Sequence, residues 1–305
     1  MESNNINNKI KQIKEIISMF DNALNYNCVI SNFKNFIEQY SFIDKWGISS
    51  DYSFNGNIKT IAFSIFPYDE LLSNTIKENI PRDLKKTRDI ESKTIEFLEK
   101  SEKFFNFIFI INDDMSIDYK NLYKDTIDII RQTIIDENTN IKYNKRLRKY
   151  YSNSFSQELF SKIHIISIIS SYLMSLVLRL QPKCAYNIWI PDRGPSFSTF
   201  EELLLDMYSL ELNVLKQIYN VEPHKYNIVT KENKNSNKYE FDSFIRLPDY
   251  FAGIVAAFDS SNNEIDTKFY TLFKNTILNN LNVSLNKVNI SNDNLKIEAY
   301  NIHSM

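Results

Sequence analysis

Between positions 45 and 66 the apolar residues fall into a period of two. Trp46, Ile48, Tyr52 and Phe54 alternate with Gly47, Ser49, Asp51 and Ser53, which is the pattern of a strand with one packed face. Asn55-Gly56 is the preferred two-residue hairpin turn, and residues 58–66 return as a second strand. Such a loop sets Asp51 opposite Thr60, Ser49 opposite Ala62 and Gly47 opposite Ser64. Trp46 then meets Ile65 and Ile48 meets Phe63 on the other face, where the core is expected.

Around the hairpin the period is mostly helical. Ile10, Ile13, Ile17, Phe20 and Leu24, then Phe33, Phe36, Ile37 and Tyr40, predict two helices within residues 10–43, with Ser31 as N-cap of the second. A charged helix-like stretch covers 82–103, and 104–111 reads as an interior strand. Helices are expected at 119–135 and 155–180, a buried strand at 185–191, and a helix reaching about residue 218 behind a Ser198/Glu201 capping box. A strand at 225–230 and a polar loop at 231–240 follow. Pro248 suits the first position of a helix through 258, because its missing N–H costs nothing there. A helix at 264–281 and one or two short strands end the chain. A hairpin followed by alternating helices and single strands predicts an α/β fold with a mixed sheet. The expected division is a helical N-terminal extension at 1–44, an α/β domain at 45–260, and a C-terminal helix and strands at 261–305 packed on it.

A chain of 305 residues, 43% hydrophobic, can bury a substantial core. Its net charge of -2 excludes a polycation that coats nucleic acid indiscriminately, so any phosphate binding must be local. Cys28 and Cys184 are far apart and match no metal or redox spacing; both are read as packing residues in a reducing compartment. The asparagine-rich start has no basic stretch leading into an apolar run, so a cytoplasmic location without a membrane partner is expected. Residues 163–180 are apolar enough to raise the question of a membrane span. His164, Ser167, Ser170, Ser171, Ser175 and Arg179 within them favour a core helix.

Three aspartates stand where chemistry is expected. Asp51 lies among small residues on its strand, open to a metal or substrate, although an edge-strand aspartate facing water satisfies the register equally well. Asp192 ends an apolar strand, where α/β proteins place ligands, but an aspartate between two prolines also makes turns. Asp249 falls in the first turn of its expected helix, a favourable place for a negative charge. Ala252, Gly253, Ala256 and Ala257 beyond it make a small face that could approach a sheet closely. All four glycines, Gly47, Gly56, Gly194 and Gly253, lie within five residues of one of these aspartates. The three histidines, His164, His224 and His303, have no paired metal spacing, and His164 is read as a core residue. No nucleophile elbow, phosphate-binding glycine loop or dinucleotide fingerprint is found. Residues 142–151 mix cations with tyrosines, as single-strand binders and solvated basic loops both do. Lys145, Arg146, Arg148 and Lys149, together with Arg193, are the candidate nucleic-acid contacts.

The segments Ile48-Ser49-Ser50-Asp51-Tyr52-Ser53, Ile190-Pro191-Asp192-Arg193 and Leu247-Pro248-Asp249-Tyr250-Phe251-Ala252-Gly253 resemble those of a widespread bacterial and phage family, domain of unknown function 3800. That family has a ribonuclease H-like fold and opens with Asp-Glu-Ser-Gly on a first strand. It carries an Asp on a later strand and ends with Leu-Ala-Asp and a nearby Ala-Gly on a helix. Tyr52 stands where the family has Glu, Phe54 where it has Gly and Pro248 where it has Ala. The resemblance implies a ribonuclease H-like mixed sheet and a nuclease in which Asp51, Asp192 and Asp249 bind one or two Mg²⁺ or Mn²⁺ ions for phosphodiester hydrolysis of DNA or RNA. Asp113, Asp114 or Glu91 would supply a fourth ligand. The rival expectation is a scaffold without catalysis, acting as a binding or regulatory subunit with a protein partner in a phage-defence or mobile-element system.

Overall fold

The protein, seen in a computed structural model, is described at residues 2–26, 28–54, 58–81, 92–113, 119–135, 156–192, 201–221, 225–228, 241–257, 267–278, 280–290 and 295–300. The strands are β1 (Lys45–Ser53), β2 (Lys59–Pro67), β3 (Phe105–Asp113), β4 (Tyr186–Pro191), β5 (Lys225–Ile228), β6 (Val283–Ile290) and β7 (Leu295–Tyr300). They form one mixed sheet in the order β5-β4-β1-β2-β3-β6-β7. β1 runs antiparallel to β2 and parallel to β4, so β1, β2 and β3 make a meander and β4 and β5 extend it beyond β1. β6 joins β3 in parallel and β7 closes that edge antiparallel, so the C-terminal strands continue the same sheet.

Helices cover both faces. In chain order they are α1 (Glu2–Tyr26), α2 (Val29–Gln39), α3 (Glu70–Asn79), α4 (Ser92–Lys100), α5 (Tyr119–Ile135), α6 (Gln157–Leu180), α7 (Glu201–Tyr219), α8 (Asp242–Ala257) and α9 (Thr267–Leu272), the last continuing as a π-helix at Phe273–Ile277. Trp46, Ile48, Phe63, Ile65, Phe107 and Trp189 point to one face and pack with α1, α2, α5, α6 and α7. Ala62, Phe66, Ile108, Ile188 and Ile190 point to the other and pack with α3, α4, α8 and α9.

Helix α6 is long and apolar enough to cross a membrane, yet 78% of that stretch is buried inside the fold. Several of its polar groups find protein partners: Ser167 and Ser171 donate to the buried Glu211 of α7 at 2.5 and 3.4 Å. Arg179 pairs with Asp21 of α1 at 3.1 Å, and Tyr172 and Tyr219 donate to the same carboxylate at 2.8 and 2.7 Å. Burial pushes the Asp21 carboxyl up, but Arg179 and the two phenols outweigh it and hold the group below its ordinary value. This knot ties the N-terminal helix to the two-helix layer beneath it.

The structure departs from the sequence reading in several places. Each β1 residue meets β2 two places later than a two-residue loop allows: Asp51 faces Ala62, Ser49 faces Ser64, Ile48 faces Ile65, Gly47 faces Phe66 and Trp46 faces Pro67. The connection is therefore longer than Asn55-Gly56 alone, and those two residues lie outside the described ones. A shift of two preserves the face of every side chain. Helix α2 begins at Val29 behind Cys28, which has φ 57 and no side-chain cap bond, so Ser31 lies within the helix. Cys28 is exposed rather than packed; only Cys184 is buried, and burial pushes its thiol up to about 11. Helix α3 was not expected; Asp69 caps it by accepting from the Leu71 N–H at 2.9 Å. The expected stretch at 82–103 contains α4, and Ser198 falls outside the described residues. The expected helix at 264–281 is shorter, because its last turn widens and the Leu278 N–H reaches back to the Phe273 carbonyl.

Gly47 has a specific task in this register. A Cβ there would lie 2.2 Å from the ring of Phe66, which stacks on Phe244 of α8 at 4.6 Å. Gly47→Ala must displace that ring from a filled interior, which is expected to lower stability by about 1–3 kcal/mol. Urea denaturation measures it; a variant as stable as the parent would mean that Phe66 has room to move.

Candidate active site

Pairing of β1 with β4 runs in register from Lys45 opposite Tyr186 to Ser50 opposite Pro191. The Asp192 N–H continues the ladder, donating to the Ser50 carbonyl at 2.8 Å. One further step at the same offset brings Asp51 beside Asp192. Aligned residues of parallel strands point to the same side, so both carboxylates stand on the α8 face, near the carboxyl ends of their strands. Packing holds this register: Trp46, Ile48 and Trp189 are buried on one side, Ile188 and Ile190 on the other.

Asp249 comes from α8, which lies across β1 and β2 on this face. Thr60 of β2 donates to the Ala252 carbonyl at 3.1 Å, so the helix backbone comes within reach of a short strand side chain. Ser73 of α3 bonds Ser243 at 2.8 Å, and Arg246 donates to the Ile80 carbonyl at 2.7 Å, fixing the first half of α8. Two expectations change here. Pro248 is inside the helix and not at its first position, so Asp249 stands two turns in and the N-terminal dipole no longer explains it. The small face is also narrower than expected: Ala252 is buried, but Gly253 and Ala256 are half-buried and Ala257 is exposed. The buried stripe runs instead through Phe244, Leu247, Phe251, Ile254 and Val255, with Asp249 at its margin.

Asp51 senses both of the other carboxylates. Asp51 is only 9% exposed. Burial, then the charge of Asp249, then that of Asp192 hold its carboxyl well above the ordinary value of 3.8. A side-chain hydrogen bond to Asp192 acts in the same direction, and the Tyr52 main-chain N–H opposes them. Two residues before Asp51, on the same face, the hydroxyl of Ser49 is fully buried without a hydrogen-bond partner. A cluster of carboxylate oxygens beside an unpaired hydroxyl is a donor set suited to a hard divalent cation such as Mg²⁺ or Mn²⁺. Among the described residues, no three His, Cys, Asp or Glu side chains already stand in an ion-chelating arrangement.

Other expected site residues fall elsewhere. Asp113 is the last residue of β3, paired with Ile290 of β6. Asp114, Glu91, Arg193, Lys145, Arg146, Arg148 and Lys149 lie outside the described residues, as do His224 and His303. His164 stacks on Phe160 at 5.9 Å. Tyr52 and Phe54 stack on each other at 6.3 Å on the face away from Asp51. Residues that the sequence reading did not single out also contribute here: Ser49, Thr60, and the hydroxyl of Ser50 behind Asp51. Period-two alternation carries the signal for Ser49 and Ser50, but a serine in a strand is too common to mark by itself.

Compared with family models, with curated proteins and with solved structures, the chain matches none of them. The functional reading therefore rests on the aspartates and their geometry.

A carboxyl with a raised pKa binds its proton more tightly in the folded than in the unfolded chain. Between the unfolded value near 3.8 and the higher folded value, the native state carries the extra proton, so stability falls as pH rises through that window. Asparagine carries no charge and escapes this loss. In metal-free buffer Asp51→Asn should be more stable than the parent at pH 7, with the gap closing as pH falls through that window towards 3.8. Paired denaturation curves across pH check this; a gap of constant size would mean that Asp51 is not a strained carboxyl.

Proposed function

We propose that the chain is a metal-dependent nuclease hydrolysing phosphodiester bonds of DNA or RNA, with Asp51, Asp192 and Asp249 as its catalytic and metal-binding residues. One observation carries this reading: Asp192, the next step in register beyond Ser50 and Pro191, and Asp249 of α8 both act on the buried carboxyl of Asp51. A ribonuclease H-like architecture belongs to the same proposal. It is supported by the β1–β2–β3 meander with β4 and β5 added in parallel beyond β1, a layout in which the first strand lies inside the sheet between β4 and β2.

Asp51, Asp192 and Asp249 would hold the Mg²⁺ or Mn²⁺, which would supply positive charge against a phosphate and make water more acidic. The chain's own residues do the rest. Asp51 forms the floor of the cluster, where burial keeps bulk water away from its oxygens. Asp192, half-buried at the strand end, and Asp249, half-buried on the helix, form its more open side. A substrate phosphate therefore approaches past these two and not past Asp51. Thr60 holds α8 against the sheet and so sets the reach of Asp249. Tyr52 in place of the family's Glu removes nothing from this cluster, since its ring packs on the opposite face. Lys145, Arg146, Arg148, Lys149 and Arg193 remain the proposed contacts to the nucleic-acid backbone.

Asp51→Asn, Asp192→Asn and Asp249→Asn test the shared site. Saturation with Mn²⁺ at about 100 times its dissociation constant stabilises a folded chain by about 2.7 kcal/mol. Each variant should lose most of that gain in a thermal melt and should no longer cleave single- or double-stranded DNA or RNA. A parent without an Mn²⁺ response and without cleavage would instead favour a binding scaffold, and retention of both by any one variant would remove that residue from the site.

A further inference from the structure

Behind the carboxylates, on the opposite face of the sheet, lies a second group of polar side chains. Ser50 is fully buried and precedes Asp51 in β1. Its carbonyl accepts the Asp192 N–H at 2.8 Å, and its hydroxyl accepts the Trp189 indole N–H at 3.1 Å. The same hydroxyl bonds the phenol of Tyr52, on the other side of Asp51, at 2.7 Å. Trp189 is fully buried in β4 and packs against the Tyr208 ring of α7 at 4.5 Å. An indole N–H can only donate, so the Ser50 oxygen takes it and keeps its own proton for the phenol, or receives the phenol's.

Ser50 thus grips β4 twice, once through its backbone and once through its side chain, beside the point where Asp51 meets Asp192. The two residues flanking Asp51 in sequence are bonded to each other behind it. Slippage or opening of the β1–β4 ladder at this level breaks the main-chain bond and the serine–indole bond together. These buried polar groups gain from such mutual satisfaction, since a buried hydroxyl or indole left unpaired costs about 1–3 kcal/mol.

We propose that Ser50, Tyr52 and Trp189 form a positioning network that sets the separation of the Asp51 and Asp192 carboxylates for a divalent cation. The proposal rests on the metal-site reading above. It gives Tyr52 a role in the site without contact with the ion: a phenol that braces the strand from behind. Groups that orient ligands in this way typically account for about 10- to 100-fold in metal affinity.

Calorimetric titration with Mn²⁺, paired with urea denaturation of the metal-free protein, separates positioning from stability. Ser50→Ala and Tyr52→Phe should each raise the Mn²⁺ dissociation constant by about 10-fold or more. Ser50→Thr keeps the hydroxyl and should stay close to the parent. Tyr52→Phe retains the ring at a half-buried position, so it reports on the network even if Ser50→Ala does not fold. Parental affinity in Tyr52→Phe, while Asp51→Asn has lost binding, overturns the network and leaves the metal site standing. Equal losses in Ser50→Thr and Ser50→Ala overturn it too, since the hydroxyl would then be irrelevant. A parent that binds no Mn²⁺ overturns the metal site, and the network with it.

Discussion

The parallel ladder between β1 and β4 brings two carboxylates together in a place where the fold would otherwise exclude charge. Two unit charges about 4 Å apart repel by on the order of 4 kcal/mol at an effective dielectric of about 20. No strand pairs for that reason, so the register must be imposed by something stronger. Trp46, Ile48 and Trp189 on one face, with Ile188 and Ile190 on the other, are all buried along this ladder. Each large apolar side chain contributes about 1.5–3 kcal/mol on burial, which together outweighs the repulsion. The core therefore holds the aspartates in proximity, and the Asp51 carboxyl is raised first by its burial and then by the charges of Asp249 and Asp192.

The same competition explains α8. A proline in a helix interior removes one hydrogen bond and costs about 3 kcal/mol, and Pro248 has no N–H for the Phe244 carbonyl. The helix nevertheless runs through it because Phe244, Leu247, Tyr250, Phe251, Ile254 and Val255 are buried against the sheet and α3. That burial exceeds the penalty several times over. It also carries Asp249 away from the helix end, so neither capping nor the dipole accounts for its position beside Asp51.

How much could be read in advance varied with the strength of the local signal. Helix α5 and strands β3 and β4 were legible within two residues at either end, since a clear period or an apolar run bounded by turn residues leaves little choice. The face of Asp51 was legible although its register was not: alternation decides the face, while loop length decides the partner. Helix α3 was missed, though Asp69 ahead of Leu72 and Ile76 offered a cap and a helical spacing. The start of α8 was misjudged because proline is a local signal that tertiary burial overrode. The three aspartates of the proposed site were named from the sequence, but Ser50 and Thr60 act through partners that only the folded sheet brings near.

A crystal structure of the parent grown with Mn²⁺, read from the anomalous scattering of the metal, bears most directly on the claim that three separate segments make one site. An anomalous peak ligated by oxygens of Asp51, Asp192 and Asp249 together is expected, with the β1–β4 register unchanged. Peaks confined to surface carboxylates, or an ion held by only one of the three, would contradict it.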